Sequence, residues 1–299
     1  MANRLLGCAL AAIALLAGAC GGGGDGEPAS EGDAASSFAT PFADNEVYPL
    51  FVSSEISVGP NRFLVGLLDD KDAPVGSPRT EMSIDFFELD SSATEPVSHE
   101  DMRWVWIDKP YVGIYAGDVR FPDEGRWGAE VTVSGGGIDE TVRSSFEVRA
   151  RPTTPAVGER VPASRTPTAT TRRGIERIST DDDPTPRFYE RSIADALRAG
   201  EPFVAVFATP EFCASATCGP MLDVVERVAS GHPQVTFVHV EPYELPADPP
   251  DFVPVPAVRE WGLPSEPWTF VVDGRGRLAA KFEGAVSASE LRAALDQLP

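Results

Sequence analysis

Two cysteines lie between an apolar run and a helical pattern in the stretch Phe203-Val-Ala-Val-Phe-Ala-Thr-Pro-Glu-Phe-Cys213-Ala-Ser-Ala-Thr-Cys218-Gly-Pro-Met221. The run 203–208 is short, continuous and rich in valine, which predicts a strand buried on both faces of a sheet. Apolar residues from Met221 to Val228 then recur at helical spacing. A strand that ends in a cysteine pair at a helix N-terminus is the layout of a dithiol redox site.

The start of this helix decides how the two cysteines can pair. Thr217 can cap it through its hydroxyl, and Pro220 suits its first turn. Cys218 then lies where free N–H groups and the helix dipole favour a thiolate, so we expect Cys218 to have the lower pKa of the pair. On a regular helix the two Cα atoms would be roughly 8.6 Å apart, beyond the limit of about 7 Å for a disulfide. If the cysteines pair, Cys213 must lie in the loop before the helix.

The N-terminal segment predicts export. One basic residue, Arg4, precedes an apolar run, so residues 1–19 are predicted to be a signal peptide. Leu16-Ala-Gly-Ala-Cys20 resembles the lipobox of bacterial lipoproteins, and this resemblance implies that Cys20 carries lipid and anchors the chain at the extracytoplasmic face of the cell membrane. A plain secretory signal cleaved elsewhere is the alternative. Residues 20–44 are predicted to be a flexible tether, and an exported protein can keep a disulfide.

Charge and length limit the possible partners and the number of domains. The 299 residues include 46 acidic and 25 basic side chains, for a formal net charge of −21. This balance argues against a nucleic-acid partner, which requires a basic surface. The length is sufficient for two domains of ordinary size with linkers.

The segment 45–150 has the pattern of half-buried strands. Apolar residues alternate with polar ones at Met82, Ile84 and Phe86, and again from Trp127 to Val133. With glycine-rich and acidic turns between them, these runs predict an antiparallel sandwich. The phrase 118–128 resembles one found in bacterial immunoglobulin-like accessory domains. We therefore expect an immunoglobulin-like β-sandwich that acts as a spacer or a docking module.

Residues 151–185, rich in proline and threonine, predict a linker, with Ile175 and Ile178 as isolated apolar anchors. The segment 186–299 then reads as strands and helices in the order βαβ followed by ββα. Its last helix follows the capping box Ser287-Ala-Ser-Glu290. This order predicts helices on both faces of a mixed sheet.

Three local matches make the segment 186–299 resemble thioredoxin: Cys218-Gly-Pro-Met221, Trp261-Gly-Leu-Pro-Ser-Glu-Pro-Trp268, and Phe282-Glu-Gly284 before a capped helix. The resemblance implies an α/β thioredoxin-like domain that exchanges thiols with a protein thiol or disulfide substrate and needs no cofactor. It implies that Cys213 and Cys218 are catalytic, that Pro267 is a cis-proline beside them, and that Glu266 lies next to the substrate.

The cysteine spacing departs from that family, whose two cysteines are separated by two residues. Either Cys213 takes the role of the first cysteine with a lengthened loop, or Cys218 takes it and Met221 stands where the second cysteine would be. Ala205 occupies the position of the family's buried aspartate, which assists proton transfer.

Two other functions are open at this point. Two thiolates and an imidazole suit copper, so Cys213, Cys218 and His239 are an alternative ligand set for a copper-binding assembly factor. The other alternative is a non-catalytic interaction lipoprotein whose disulfide only fixes a loop.

Overall fold

Strands provide most of the regular structure in the computed structural model, which describes residues 35–38, 45–247 and 249–299. The strands are β1 (Val47–Phe51), β2 (Gly59–Asp69), β3 (Glu81–Glu88), β4 (Ser98–Asp108), β5 (Val112–Phe121), β6 (Gly125–Gly135), β7 (Ile138–Val148), β8 (Phe203–Phe207), β9 (Thr236–Val240), β10 (Trp268–Val272) and β11 (Leu278–Glu283). The helices that follow β7 are α1 (Arg172–Ile175), a 3-10 helix (Pro186–Tyr189), α2 (Ile193–Ala199), α3 (Cys218–Ser230), α4 (Pro256–Glu260) and α5 (Ala288–Asp296).

The first seven strands form one antiparallel sheet in the order β1-β2-β5-β4-β3-β6-β7. Its two outer strands approach each other, since Glu140 on β7 accepts hydrogen bonds from the Asn45 side chain at 2.6 Å and from the Glu46 N–H at 2.9 Å. The sheet is therefore nearly closed into a barrel, which we call the barrel sheet.

The interior of the barrel sheet follows from the period-two pattern of its strands. Phe63, Phe86 and Trp127 are fully buried and lie in one apolar core. The predicted inward residues Met82 and Ile84 belong to the same core. Side chains on alternate positions of a strand point to opposite faces of the sheet, so the prediction of which residues face inward is confirmed.

The last four strands form a smaller mixed sheet in the order β11-β10-β8-β9, in which only the pair β8 and β9 is parallel. Each face has its own apolar core: α3 and α5 contribute to one, and α2 and α4 to the other. Every residue of β8 is buried, as its unbroken apolar sequence predicts. Of the two predicted anchors, Ile175 is buried in the first of these cores, and Ile178 packs against it.

The fold class predicted from the sequence, an immunoglobulin-like sandwich before an α/β thioredoxin-like domain, is wrong. The chain is predominantly β, and its seven N-terminal strands form one nearly closed sheet instead of two stacked ones. Alternation along a strand identifies its buried face but does not specify whether that face meets a second sheet or the far side of the same one. The matches to thioredoxin describe a helix start, a proline and a cap, and such local features do not fix the sheet around them.

Polar contacts join the barrel sheet to the smaller sheet. Arg62 on β2 pairs with Glu290 on α5 at 3.0 Å and donates to the Ala285 carbonyl at 2.7 Å. The Glu283 carboxylate accepts the Ser54 N–H at 2.9 Å. These contacts hold the outer face of the barrel sheet against the end of β11 and the start of α5.

Candidate functional site

Cys213 and Cys218 form a disulfide, with their Cα atoms 6.0 Å apart. Cys218 is the first residue of α3, whereas Cys213 lies in the loop between β8 and α3. The prediction that a disulfide requires Cys213 to precede the helix is confirmed. This loop, residues 209–217, is called the disulfide loop below.

The backbone N–H at the start of α3 points at the sulfur of Cys213, since the N–H of Cys218 donates to Cys213 Sγ at 3.2 Å. Ala216 allows this return of the chain by adopting the left-handed region, with a φ of 53°. The sequence predicts that the N-terminus of this helix favours the thiolate of Cys218, whereas the N–H of Cys218 itself donates to Cys213 Sγ. A hydrogen bond donated to a sulfur favours its thiolate, so this donor favours Cys213.

The start of α3 is not capped by a side-chain hydroxyl as the sequence predicts. Thr217 is the N-cap residue, but its side chain makes no capping hydrogen bond. Its hydroxyl donates instead to the carbonyl of Ser215 at 3.2 Å. Thr217 therefore stabilises the disulfide loop, and the first N–H of α3, that of Cys218, has Cys213 Sγ as its side-chain acceptor instead.

The two sulfurs differ in access. Cys218 is fully buried in the core beside β8, whereas Cys213 is partly exposed. The residues that follow Cys213, from Ala214 to Ala216, are exposed. Since exchange requires direct attack of a thiolate on a disulfide sulfur, Cys213 is the sulfur that a partner can reach.

The Glu266–Pro267 peptide bond is cis, and Pro267 is buried directly before β10. Glu266 is partly buried and accepts a hydrogen bond from the hydroxyl of Tyr243. Burial raises the pKa of Glu266, although this hydrogen bond lowers it in part. Burial and the nearby charge of Glu266 raise the pKa of Tyr243 to about 12. The Tyr243 hydroxyl therefore stays protonated at neutral pH and remains a donor to Glu266.

Three aromatic residues that the sequence argument missed connect Glu266 to the disulfide loop. Phe212 packs against Phe252 with ring centroids 5.4 Å apart, and Phe252 packs against Tyr243 at 4.6 Å. Both Tyr243 and Phe252 belong to the proline-rich segment between β9 and α4. The available signal was two aromatic residues in an otherwise polar, proline-rich loop.

His239 is not placed beside the cysteines as a ligand. Its Nε2 donates to the carbonyl of Ala208 at 2.9 Å, so its Nδ1 accepts from the hydroxyl of Tyr189 at 2.7 Å. Burial lowers the pKa of His239 to about 4, which keeps the ring neutral. Both ring nitrogens are therefore engaged, and among the described residues no three His, Cys, Asp or Glu side chains are grouped to hold a metal.

The predicted lipid site Cys20, the predicted signal peptide and the predicted tether, apart from residues 35–38, lie outside the described residues. Within the described part of the chain, no helix combines the length and the apolar content that crossing a bilayer requires.

No protein-family model and no curated protein matches this chain. Solved structures similar to parts of it include a DUF4426 family protein from Pseudomonas aeruginosa PAO1, at 11% identity and a TM-score of 0.27 over 38% of this chain and 96% of that one. Another is MtrC from Shewanella baltica OS185, at 11% identity and a TM-score of 0.25 over 38% of this chain and 24% of that one. Domains 4 and 5 of the S-layer protein SbsC match at 16% identity and a TM-score of 0.19, over 34% of this chain and 51% of that one.

These likenesses are too weak to carry a functional argument. They give no support to the resemblance to thioredoxin, which is corrected here together with the predicted fold class.

Proposed function

We propose that this chain is an exported thiol-disulfide exchange protein that acts through Cys213 and Cys218 and is held at the extracytoplasmic face of a membrane by lipid on Cys20. One observation carries the chemical part: Cys213, a partly exposed residue that is disulfide-bonded to the buried Cys218, accepts the N–H at the start of α3 on its sulfur. A sulfur in that position is open to attack and is also a stabilised leaving group.

The reaction proceeds in two steps that conserve sulfur bonds and electrons. A substrate thiolate attacks Cys213 Sγ, the bond to Cys218 breaks, and Cys218 leaves as a thiolate that takes a proton from water. A second substrate thiolate then attacks the substrate sulfur of the mixed disulfide and releases Cys213 as a thiolate. The substrate gains a disulfide, and the chain keeps the two electrons as a dithiol. Run in reverse, the same steps reduce a substrate disulfide.

The alternative role, a crosslink that only stabilises the fold, accounts less well for this pair. The sequence separation of the two cysteines is 5. Closing so short a loop stabilises a protein by roughly 2 kcal/mol on the chain-entropy model. Cys218 is buried in the apolar core of the smaller sheet, so packing holds it in place in addition to the crosslink.

A glutathione redox titration of the purified protein tests the chemical proposal. We expect a reduction potential above about −300 mV, because structural disulfides of secreted proteins lie below that value. A potential below it, together with no exchange between the oxidised chain and reduced glutathione, would show that the disulfide is structural.

The membrane anchor is tested separately. The Cys20→Ala variant should leave the membrane fraction, because the lipoprotein modification supplies the acyl chains needed for stable anchoring. If the variant stays with the membrane, the lipobox-like sequence is not the anchor.

A further inference from the structure

The outer face of the barrel sheet carries an apolar stripe that is covered only in part. Leu64, Ile114 and Ala116 are buried there against Ala285 of the segment before α5. The stripe continues beyond this contact to side chains that stay open to water. Leu50 is 47% exposed, Val52 39% and Val112 41%.

The uncovered part of the stripe faces the disulfide loop across a groove of about 390 Å³. Leu50, Val52 and Val112 of the barrel sheet line this groove together with Ser215 of the disulfide loop and Pro267. Ser215 Oγ is 3.4 Å from the sulfur of Cys213, so a residue that lines the groove contacts the reactive atom. Its volume lies within the range of about 300–1,000 Å³ that is usual for binding pockets.

The charges around the groove select against acidic partners. Among the described residues that line it, the only charged side chains are Glu266 and Glu283. The carboxylate of Glu283 is already hydrogen-bonded to Ser54 and Ser265, whereas Glu266 has only the hydroxyl of Tyr243. Together with the net charge of −21, these carboxylates favour a neutral or basic segment.

The shape of the groove indicates an extended chain. A cavity of about 390 Å³ admits a few side chains but not the convex surface of a folded domain. A cysteine that reaches Cys213 from this groove must therefore lie in a segment that is not yet folded, with apolar neighbours that replace water on Leu50 and Val112.

We propose that this groove binds an extended, apolar, cysteine-bearing segment of an exported polypeptide without acidic residues next to its cysteine. The inference rests on the proposed exchange function and adds the substrate class to it. The barrel sheet then selects the substrate, while the disulfide loop performs the chemistry.

The test measures single-turnover oxidation of dithiol peptides by the oxidised chain. One peptide has leucine and lysine beside its cysteines, a second has glutamate in place of lysine, and reduced glutathione is the small reference thiol. We expect the lysine peptide to react at least tenfold faster than the glutamate peptide at low salt, with a smaller ratio at high salt because salt screens exposed charges.

Two groove variants should affect the peptides alone. The double variant Leu50→Ser, Val112→Ser removes exposed apolar contacts, so it should slow the lysine peptide about tenfold and leave glutathione unchanged. Gly66→Val should fill the groove: a Cβ at Gly66 would lie 3.7 Å from the Cβ of Leu50, which is ordinary contact. Val97→Ser is the matched control, since Val97 is 49% exposed and is not among the residues that line the groove.

Direct binding separates the two proposals. A lysine peptide with serine in place of cysteine should bind the wild-type chain and the control but bind at least tenfold more weakly to both groove variants. Equal binding by wild type and groove variants would overturn the groove as a substrate site. Binding that follows the expected order, with no exchange by any thiol, would instead refute the exchange function alone.

Discussion

The Glu290→Gln substitution should destabilise the protein by about 3 kcal/mol at neutral pH. Burial opposes ionisation of Glu290, but the charge of Arg62 and the hydrogen bonds from Arg103 and Ser287 outweigh it and hold the pKa at about 2, against 4.5 for an ordinary glutamate. At about 1.4 kcal/mol per pH unit, this difference corresponds to about 3 kcal/mol. Gln keeps the shape of Glu and can still complete the capping box with Ser287, so the substitution isolates the charge.

The sign of the pH dependence follows from the lowered pKa. The contribution of Glu290 is complete above the ordinary pKa of 4.5 and is lost as the pH falls toward about 2. The free energy of unfolding can be measured by urea denaturation followed by tryptophan fluorescence. It should be higher for wild type than for the variant by about 3 kcal/mol at pH 7 and by about half of that at pH 3.

A neighbouring exposed pair is the matched control. Arg103 also pairs with Asp118 at 2.9 Å, but their side chains are 40% and 72% exposed. Asp118→Asn should therefore cost at most about 1 kcal/mol. If Glu290→Gln costs no more than this control, or if its cost is the same at pH 3 as at pH 7, the ion pairs do not stabilise the contact between the two sheets.

Two further predictions concern buried groups and caps. Burial lowers the pKa of His239 from 6.5 to about 4. The free energy of unfolding should therefore fall by about 3 kcal/mol as the pH falls from 6.5 to 4, because in this range only the unfolded chain binds the proton. In urea denaturation, the His239→Gln variant should not show this decrease. If wild type and the variant have the same dependence of unfolding free energy on pH, the claim that His239 is buried as a neutral ring is wrong. Ser287→Ala should lower the free energy of unfolding by about 1 kcal/mol, because the Ser287 hydroxyl caps α5. Thr217→Ala should lower it by less than half of that, because the Thr217 hydroxyl caps no helix. An equal cost for both would contradict the hydrogen bonds described here.

Local sequence predicted the parts of the structure that depend on near neighbours. The capping box of Ser287 and Glu290 and the burial of β8 both follow from residues close together in the chain. The position of Cys213 in a loop was also predictable, because helix geometry excludes the alternative for a bonded pair.

The features that sequence reasoning missed depend on contacts across the chain. Nothing near Leu50 indicates that it faces Ser215, because the groove exists only where the barrel sheet meets the disulfide loop. The direction of the N–H of Cys218 depends on the left-handed backbone of Ala216, and alanine carries no signal for that conformation. The closure of seven strands into one sheet likewise depends on which strands pair, and some of the pairs, such as β2 with β5, join strands that are distant in the sequence.

The proposed exchange chemistry depends most directly on which of the two sulfurs the start of α3 stabilises. The measurement is the rate of alkylation from acid to neutral pH in two single-cysteine variants: Cys218→Ser, which keeps Cys213, and Cys213→Ser, which keeps Cys218. Because the N–H of residue 218 points at Cys213 Sγ and Cys213 is partly exposed, Cys213 should be alkylated faster than Cys218, and its thiolate should form at a lower pH. Faster alkylation of Cys218 at low pH would contradict the assignment of Cys213 as the sulfur that exchanges with substrate.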